Sequence, residues 1–454
     1  MITHPHPEFS RRSAFCSLGG GFGALALADL LFANEATSGS RPTSHLAPRA
    51  RHVIFLFMAG GPSHLDLFDP KPAIKKYAGQ RPESVRLRTE RVTRGLMPSP
   101  FRFRSCGRSG IEVSELLPHL AECVDDICVI RSMVGGNPNH APAANWLFSG
   151  RIDQIHPSLG AWMSYGLGTE NQNLPAFVAL RNGPSGSRYV RCGYLPGEHQ
   201  AMPIDVSQEG PQQMIANLHN TEITAPDQAR QFQFLEQLNR AHRARRADDE
   251  VLEARIRAME TAFRMQSTAG AVCDLSRESK AVRDLYGDGW FANGCLLARR
   301  LVEHGVRYIH LPIGKWDHHR NINQDIRERT RVVDQPIAAL LKDLKQRGLL
   351  DETLVIWGGE FGRTPVSENG NGRDHNHYGF TMWMAGGGSR GGMIFGATDE
   401  FGFRAVENPV SVHDFHATIL HLLGINHEQL TYRYSGRDFR LTDVSGNVIG
   451  EIIG

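Results

Sequence analysis

"VRYIHLPIGKWDHHRN" (306–321) joins two patterns whose combination decides how the rest of the chain is read. The first half is a short apolar run of the kind that forms a strand buried on both faces. The second half sets Asp317, His318 and His319 side by side directly after it. A charged, imidazole-rich loop at a strand end points to a bound ion. Asp317 and His319 are two residues apart, so in an extended or looped segment both can face one cation. His318 then points away, unless the two histidines trade places.

Similar apolar runs recur on both sides: "HVIFLFM" (52–58), "DICVIRS" (126–132), "PAFVAL" (175–180), "TLVIWG" (353–358) and "FTMWMAG" (380–386). Helical patterns stand between several of them, at 293–305, 332–348 and 412–424. Strand and helix in alternation predict an α/β fold, a mostly parallel sheet flanked by helices. The rhythm breaks at 183–270, where a Gly-rich stretch leads into a long charged helical region. That segment reads as a helical insertion capping a domain that spans 51–454.

In an open parallel sheet, ligands bind in the crevice outside the carboxyl ends of the strands. Four polar loops follow predicted strands there: "AGGPSHLDLFD" (59–69), "MVGGNPNHAPAAN" (133–145), "GKWDHHRN" (314–321) and "GGEFGRTP" (358–365). No helical pattern separates the strands ending at 358 and starting at 380. The strand at 380 is therefore expected to run antiparallel and return from the same edge, bringing "GRDHNHYGF" (372–380) to the other loops. The expected metal ligands are Asp66, Asp317, His319, Glu360, His375 and His377. His64, His140 and Arg363 are the expected catalytic residues, Arg363 because its planar fork matches phosphate or sulfate oxygens. Mixed carboxylate and imidazole donors suit a divalent transition metal better than an all-oxygen calcium cage. One or two ions, zinc or manganese, are expected.

The N-terminal "FSRRSAFCSLGGGFGALALADLLFA" has paired arginines before a Gly/Ala-rich apolar run. This is the pattern of a twin-arginine signal peptide over 1–35, followed by a linker over 36–50, and it predicts a periplasmic or extracellular protein. A buried helix fits less well, since Gly19, Gly20, Gly21 and Gly23 would each cost a helix interior about 1 kcal/mol. No later segment is apolar for long enough to span a bilayer. A formal charge of +2 without a basic stripe speaks against a nucleic-acid binder. Without Cys16 the seven cysteines become six, which permits disulfides, and no C-x-x-C pair signals a zinc knuckle.

"MAGGPSHLDLFDPKP" (58–72), "WDHH" (316–319), "LLDETLVIWGGEFGRTP" (349–365), "GRDH" (372–375) and "HDFHATILHLLGI" (413–425) resemble the exported, sulfatase-like proteins of domain-of-unknown-function family 1501. That family resembles the alkaline phosphatase superfamily. The resemblance implies a metal-dependent hydrolase of phosphate or sulfate esters, acting on a small-molecule or glycan ester. It also implies that Asp317, His319 and His375 hold the first ion, while Glu360, with His64 or Asp66, completes a second site. His140 stands where a sulfatase carries its nucleophile, as either a covalent nucleophile or a ligand. No Cys-x-Pro occurs in the chain, so a formylglycine mechanism is not expected. The alternative is a catalytically degenerate protein that binds a metal and an anionic glycan.

Overall fold

The computed structural model describes residues 45–83, 89–153, 155–183, 189–220, 222–243 and 250–454. The expected signal peptide and most of the linker lie outside these residues. In chain order, the strands that position the site are β1 (His52–Met58), β2 (Thr93–Leu96), β3 (Ile127–Val134), β4 (Phe177–Arg181) and β5 (Met202–Asp205). They continue with β6 (Tyr308–Ile313), β7 (Thr353–Gly358), β8 (Gly362–Glu368), β9 (Gly372–Asn376), β10 (Phe380–Ala385), β11 (Met393–Phe395) and β12 (Val410–Ser411). The main sheet has nine strands in the order β11-β3-β10-β7-β1-β6-β4-β5, with β12 pairing β3. β1 lies parallel to both β6 and β7, whereas β10 runs antiparallel to β7 and β3. The expected α/β class, the mostly parallel sheet and the reversed strand at 380 are all present.

All seven residues of β1 are buried, because alternate side chains feed two separate cores. Ile54, Leu56 and Met58 pack with Leu296, Leu297 and Leu301 of α5 (Trp290–Glu303) and with Ile337 and Leu340 of α6 (Ile322–Gln346). Val53, Phe55 and Phe57 face Phe148 of α1 (His140–Ser149), Trp162 of α2 (Leu159–Leu167) and Phe415 of α7 (Val412–Leu422). Helices therefore cover both faces, the arrangement that a fully apolar parallel strand requires.

The stretch at 183–270 forms α3 (Ala225–Arg243) and α4 (Glu250–Cys273), and it also supplies β5. That strand extends the main sheet by pairing parallel with β4, from Val178↔Met202 to Arg181↔Asp205. The segment is thus woven into the sheet edge as well as lying outside it. Period-based reading passed over β5 because it is only four residues long and contains Pro203. Cys106, Cys123, Cys128, Cys192, Cys273 and Cys295 are free thiols, and no described helix is long and apolar enough to cross a membrane.

Two core histidines give the fold an acid limit. His310 is fully buried against Phe148 and Phe57, with ring centroids 4.9 and 5.8 Å away, and burial pushes its pKa down to about 3. His416 is likewise held at about 3 by burial, partly offset by its Nε2 contact with the Leu147 carbonyl. Both stay neutral in the fold while the unfolded chain takes up protons near pH 6.5. Their stabilisation is therefore complete above pH 6.5 and is lost as pH falls toward 3, by about 1.4 kcal/mol per unit for each ring. Urea unfolding at pH 7, 6 and 5 is expected to show this slope, and His310→Phe is expected to flatten it by one ring's share.

Candidate metal centre

The parallel strands β3, β7, β1 and β6 end at the same edge, and β10 starts there. At their tips Met58 is level with Ile313, and Phe57 with Gly358. The loops after these strands must meet. Between β8 and β9, Asn369 (φ 52°) and Gly370 (φ 87°) take the left-handed backbone favoured by an Asn-Gly turn. The resulting hairpin sets Arg363 opposite His375.

Four side chains converge there. His140, Asp317, His319 and His375 each offer a ligand atom, all within 4.8 Å of one another. Asp317 Oδ1 lies 2.9 Å from His319 Nε2 and 3.1 Å from His375 Nε2, and Oδ2 lies 3.3 Å from His140 Nε2. The Nε2 atoms of His319 and His375 are 3.0 Å apart. Each ring's other nitrogen is engaged outside the cluster: His140 Nδ1 with Glu360 Oε1 at 2.6 Å, His319 Nδ1 with Glu368, and His375 Nδ1 with the Pro138 carbonyl at 2.7 Å. His140 Nε2 is buried without a hydrogen bond. An orphaned nitrogen beside two further ring nitrogens and a carboxylate offers donors of the kind that divalent cations take. These residues fit the ion that the sequence resemblance implies.

The electrostatics agree. Burial disfavours the His140 imidazolium, but the Asp317 and Glu360 carboxylates on either side outweigh it and raise the group to about 9. Burial would raise Asp317, yet the imidazoles of His140, His319 and His375 around it and the Arg363 charge hold it far below the usual carboxylate range. The cluster therefore attracts positive charge.

Of the expected ligands, Asp317, His319 and His375 are in this group and His140 joins them. The rest are placed elsewhere, each for a visible reason. Asp66 is buried in an ion pair with Arg373 at 2.8 Å. Glu360 accepts the Gly60 N–H at 3.0 Å and holds His140 from behind. His377 packs against Tyr378 in a tilted arrangement, centroids 4.0 Å apart, and is not in the convergent group. His64 Nε2 donates to the Gly402 carbonyl, 2.9 Å away, and the ring is fully buried. Arg363, expected as a clamp on substrate oxygens, has a fully buried side chain. Its N–H groups donate to the Gly60, Gly61 and Arg373 carbonyls and to Asp317 Oδ1 at 2.6 Å. It anchors Asp317 from below and does not face solvent. His318 is buried beside Trp316, and burial lowers it to about 4.

Glu368 was missed by sequence reading. It sits at the far end of β8, and only the Asn-Gly turn signal after it could have brought it back toward His319. Glycines make the close approach feasible. At Gly60 (φ 119°) a Cβ would lie 2.6 Å from Asp317 N, and at Gly372 it would lie 2.0 Å from the His319 carbonyl oxygen. Gly60→Ala and Gly372→Ala are each expected to destabilise the fold by more than about 1 kcal/mol and to weaken metal binding; calorimetric titration with Zn²⁺ beside urea unfolding reads both.

The family profile described as "Protein of unknown function (DUF1501)" matches residues 50–453, and the chain belongs to that family. No curated protein matches it. Among solved structures it is similar to the lipoteichoic acid synthase LtaP from Listeria monocytogenes, with TM-score 0.38 and 10% identity over 92% of this chain and 80% of that one. It is similar to the PsFucS1 sulfatase from Pseudoalteromonas sp., with TM-score 0.36 and 11% identity over 93% of this chain and 73% of that one. The C-terminal periplasmic domain of EcEptC from Escherichia coli, a complex with Zn, gives TM-score 0.35 and 9% identity over 88% of each chain.

Proposed function

We propose that the protein is an exported, metal-dependent hydrolase of phosphate or sulfate esters, with one divalent cation, zinc or manganese, held by His140, Asp317, His319 and His375. The observation that carries this reading is the convergence of three imidazole Nε2 atoms on one carboxylate at the strand-end crevice. Such an ion supplies Lewis acidity toward an ester oxygen and lowers the pKa of water. The chain's own residues orient the site. Arg363 fixes Asp317, Glu360 fixes His140, and Asp317, with 41% of its side chain exposed, keeps the cluster open to solvent. Export rests on the paired-arginine N-terminus.

A second reading is a binding protein for a metal and an anionic glycan that lacks turnover. It is favoured by two hydroxyls on the segments that carry the site, which are committed: Ser63 Oγ donates to Asp66 at 2.5 Å and Thr364 Oγ1 to the Val366 carbonyl at 2.9 Å. Elemental analysis and ester hydrolysis on purified protein separate the two. Stoichiometric metal with Asp317-dependent turnover on Zn²⁺ or Mn²⁺ supports the hydrolase. Bound metal without turnover over a broad phosphate and sulfate ester panel supports the binder. Absence of metal rejects both.

A further inference from the structure

We infer that Glu368 and Glu360 are positioning residues that set the tautomers of His319 and His140, so that ring lone pairs face the ion. The inference rests on the ion-binding reading of the cluster and concerns residues that do not touch the ion.

A neutral imidazole has one N–H donor and one lone pair, and an ionised carboxylate only accepts. In the neutral ring that a bound cation requires, a carboxylate on Nδ1 therefore holds the proton there and leaves the lone pair on Nε2. His319 meets Glu368 in this way, and His140 meets Glu360. For His375 the Pro138 carbonyl, also acceptor-only, does the same. Three independent partners thus select one tautomer at three rings, and all three Nε2 atoms point at Asp317.

Both carboxylates are themselves held. Glu360 is buried and receives the Gly60 N–H at 3.0 and 3.2 Å. Glu368 is buried, with Arg91 Nη1 and Asn369 Nδ2 each 3.3 Å from Oε1. Glu360 cannot swing away without leaving the buried Gly60 N–H unpaired, and Glu368 is held toward His319 by Arg91 and Asn369, so each ring is fixed in orientation by its carboxylate. Outer partners of this type fix ring tautomer and raise ligand basicity in metal sites.

His319, Glu368 and Asp374 also lie close enough together to be considered as a second ion site. Their surroundings argue against it. The Arg91 guanidinium already sits on Glu368, and Asp374 accepts the Arg91 backbone N–H at 2.7 Å and its neighbour His375's N–H at 2.9 Å. Cationic and N–H donors occupy the place that a second cation would take.

The test uses the full chain, Zn²⁺ alone as probe, and two readouts. Calorimetric titration is expected to give one Zn²⁺ per chain, about 10–100-fold weaker binding in Glu368→Ala, and partial recovery in Glu368→Gln, whose amide oxygen still accepts from Nδ1–H. In ¹⁵N-histidine spectra of the Zn²⁺-loaded protein, His319 is expected to be metal-bound through Nε2 with a protected Nδ1 proton, and Glu368→Ala is expected to lose that protection. A purely structural Glu368 would lower the melting temperature and move neither readout. Unchanged affinity and an unchanged His319 signal in Glu368→Ala overturn the inference. So do two ions in the wild type with one lost in the variant, since Glu368 would then be a ligand. If the wild type binds no Zn²⁺, the ion-binding reading itself falls.

Discussion

Asp317→Ala is expected to weaken Zn²⁺ or Mn²⁺ binding by roughly 100-fold or more, beyond the 10–100-fold typical of an outer partner, and to remove ester hydrolysis with it. Asp317 is the only carboxylate among the four convergent groups, and its Oδ1 is within 3.1 Å of His319, His375 and Arg363 together. Deleting it leaves three imidazoles above a buried guanidinium, and that charge repels a cation. Asp317→Asn separates shape from charge, because the amide oxygen can still face Arg363 while the anion is gone. It is expected to bind metal almost as poorly as the alanine variant. Thermal unfolding supplies a readout that does not depend on the substrate. At free metal one hundred times Kd, the wild type gains about 2.7 kcal/mol, and both variants are expected to gain nothing measurable. Equal metal-dependent shifts in all three proteins would reject the assignment of Asp317 to the ion.

How much of this was legible in advance follows from the physics of each signal. Strands buried on both faces appear as unbroken apolar runs, so β1, β6, β7 and β10 could be read to within two residues at each end, from His52, Tyr308, Thr353 and Phe380 onward. The parallel order of β1, β6 and β7 and the reversal at β10 place the loops at one edge, so Asp317, His319 and His375 can be gathered from the sequence alone. What remained hidden was side-chain partnership. Asp66 and Asp317 are both acids beside histidines in strand-end loops, but only the fold shows that Arg373 claims the first. In the same way a fork suited to anions, Arg363, proved to point inward at backbone carbonyls. β5 was hidden for another reason: a four-residue edge strand has too short a period to read, and its pairing with β4 is a tertiary fact.

The largest loss of stability is expected from Asp66→Ala. Asp66 and Arg373 are buried essentially completely, and Arg373 Nε and Nη2 reach the two carboxylate oxygens at 2.8 and 3.4 Å. The remaining guanidinium donors go to the Thr364 and Met97 carbonyls at 3.0 and 2.9 Å. Burial alone would raise the Asp66 pKa, but the Arg373 charge and its hydrogen bonds outweigh this and lower it. Its folded value is thus below the unfolded one, so the stabilisation is present above about pH 4 and is lost as pH falls through the folded value. Removing the carboxylate at pH 7 leaves a guanidinium buried without its counter-charge. Breaking a pair of this kind costs about 3–5 kcal/mol, a large part of the 5–15 kcal/mol that holds a typical domain together. The penalty belongs to the unpaired charge and not to the lost attraction, so the double variant Asp66→Leu/Arg373→Met is expected to recover most of it. Urea unfolding of both single variants and the double variant closes the cycle. A double variant as unstable as Asp66→Ala would show instead that Arg373's bonds to Thr364 and Met97, which tie β8 and the segment after β2 to the hairpin carrying His375, account for the stability.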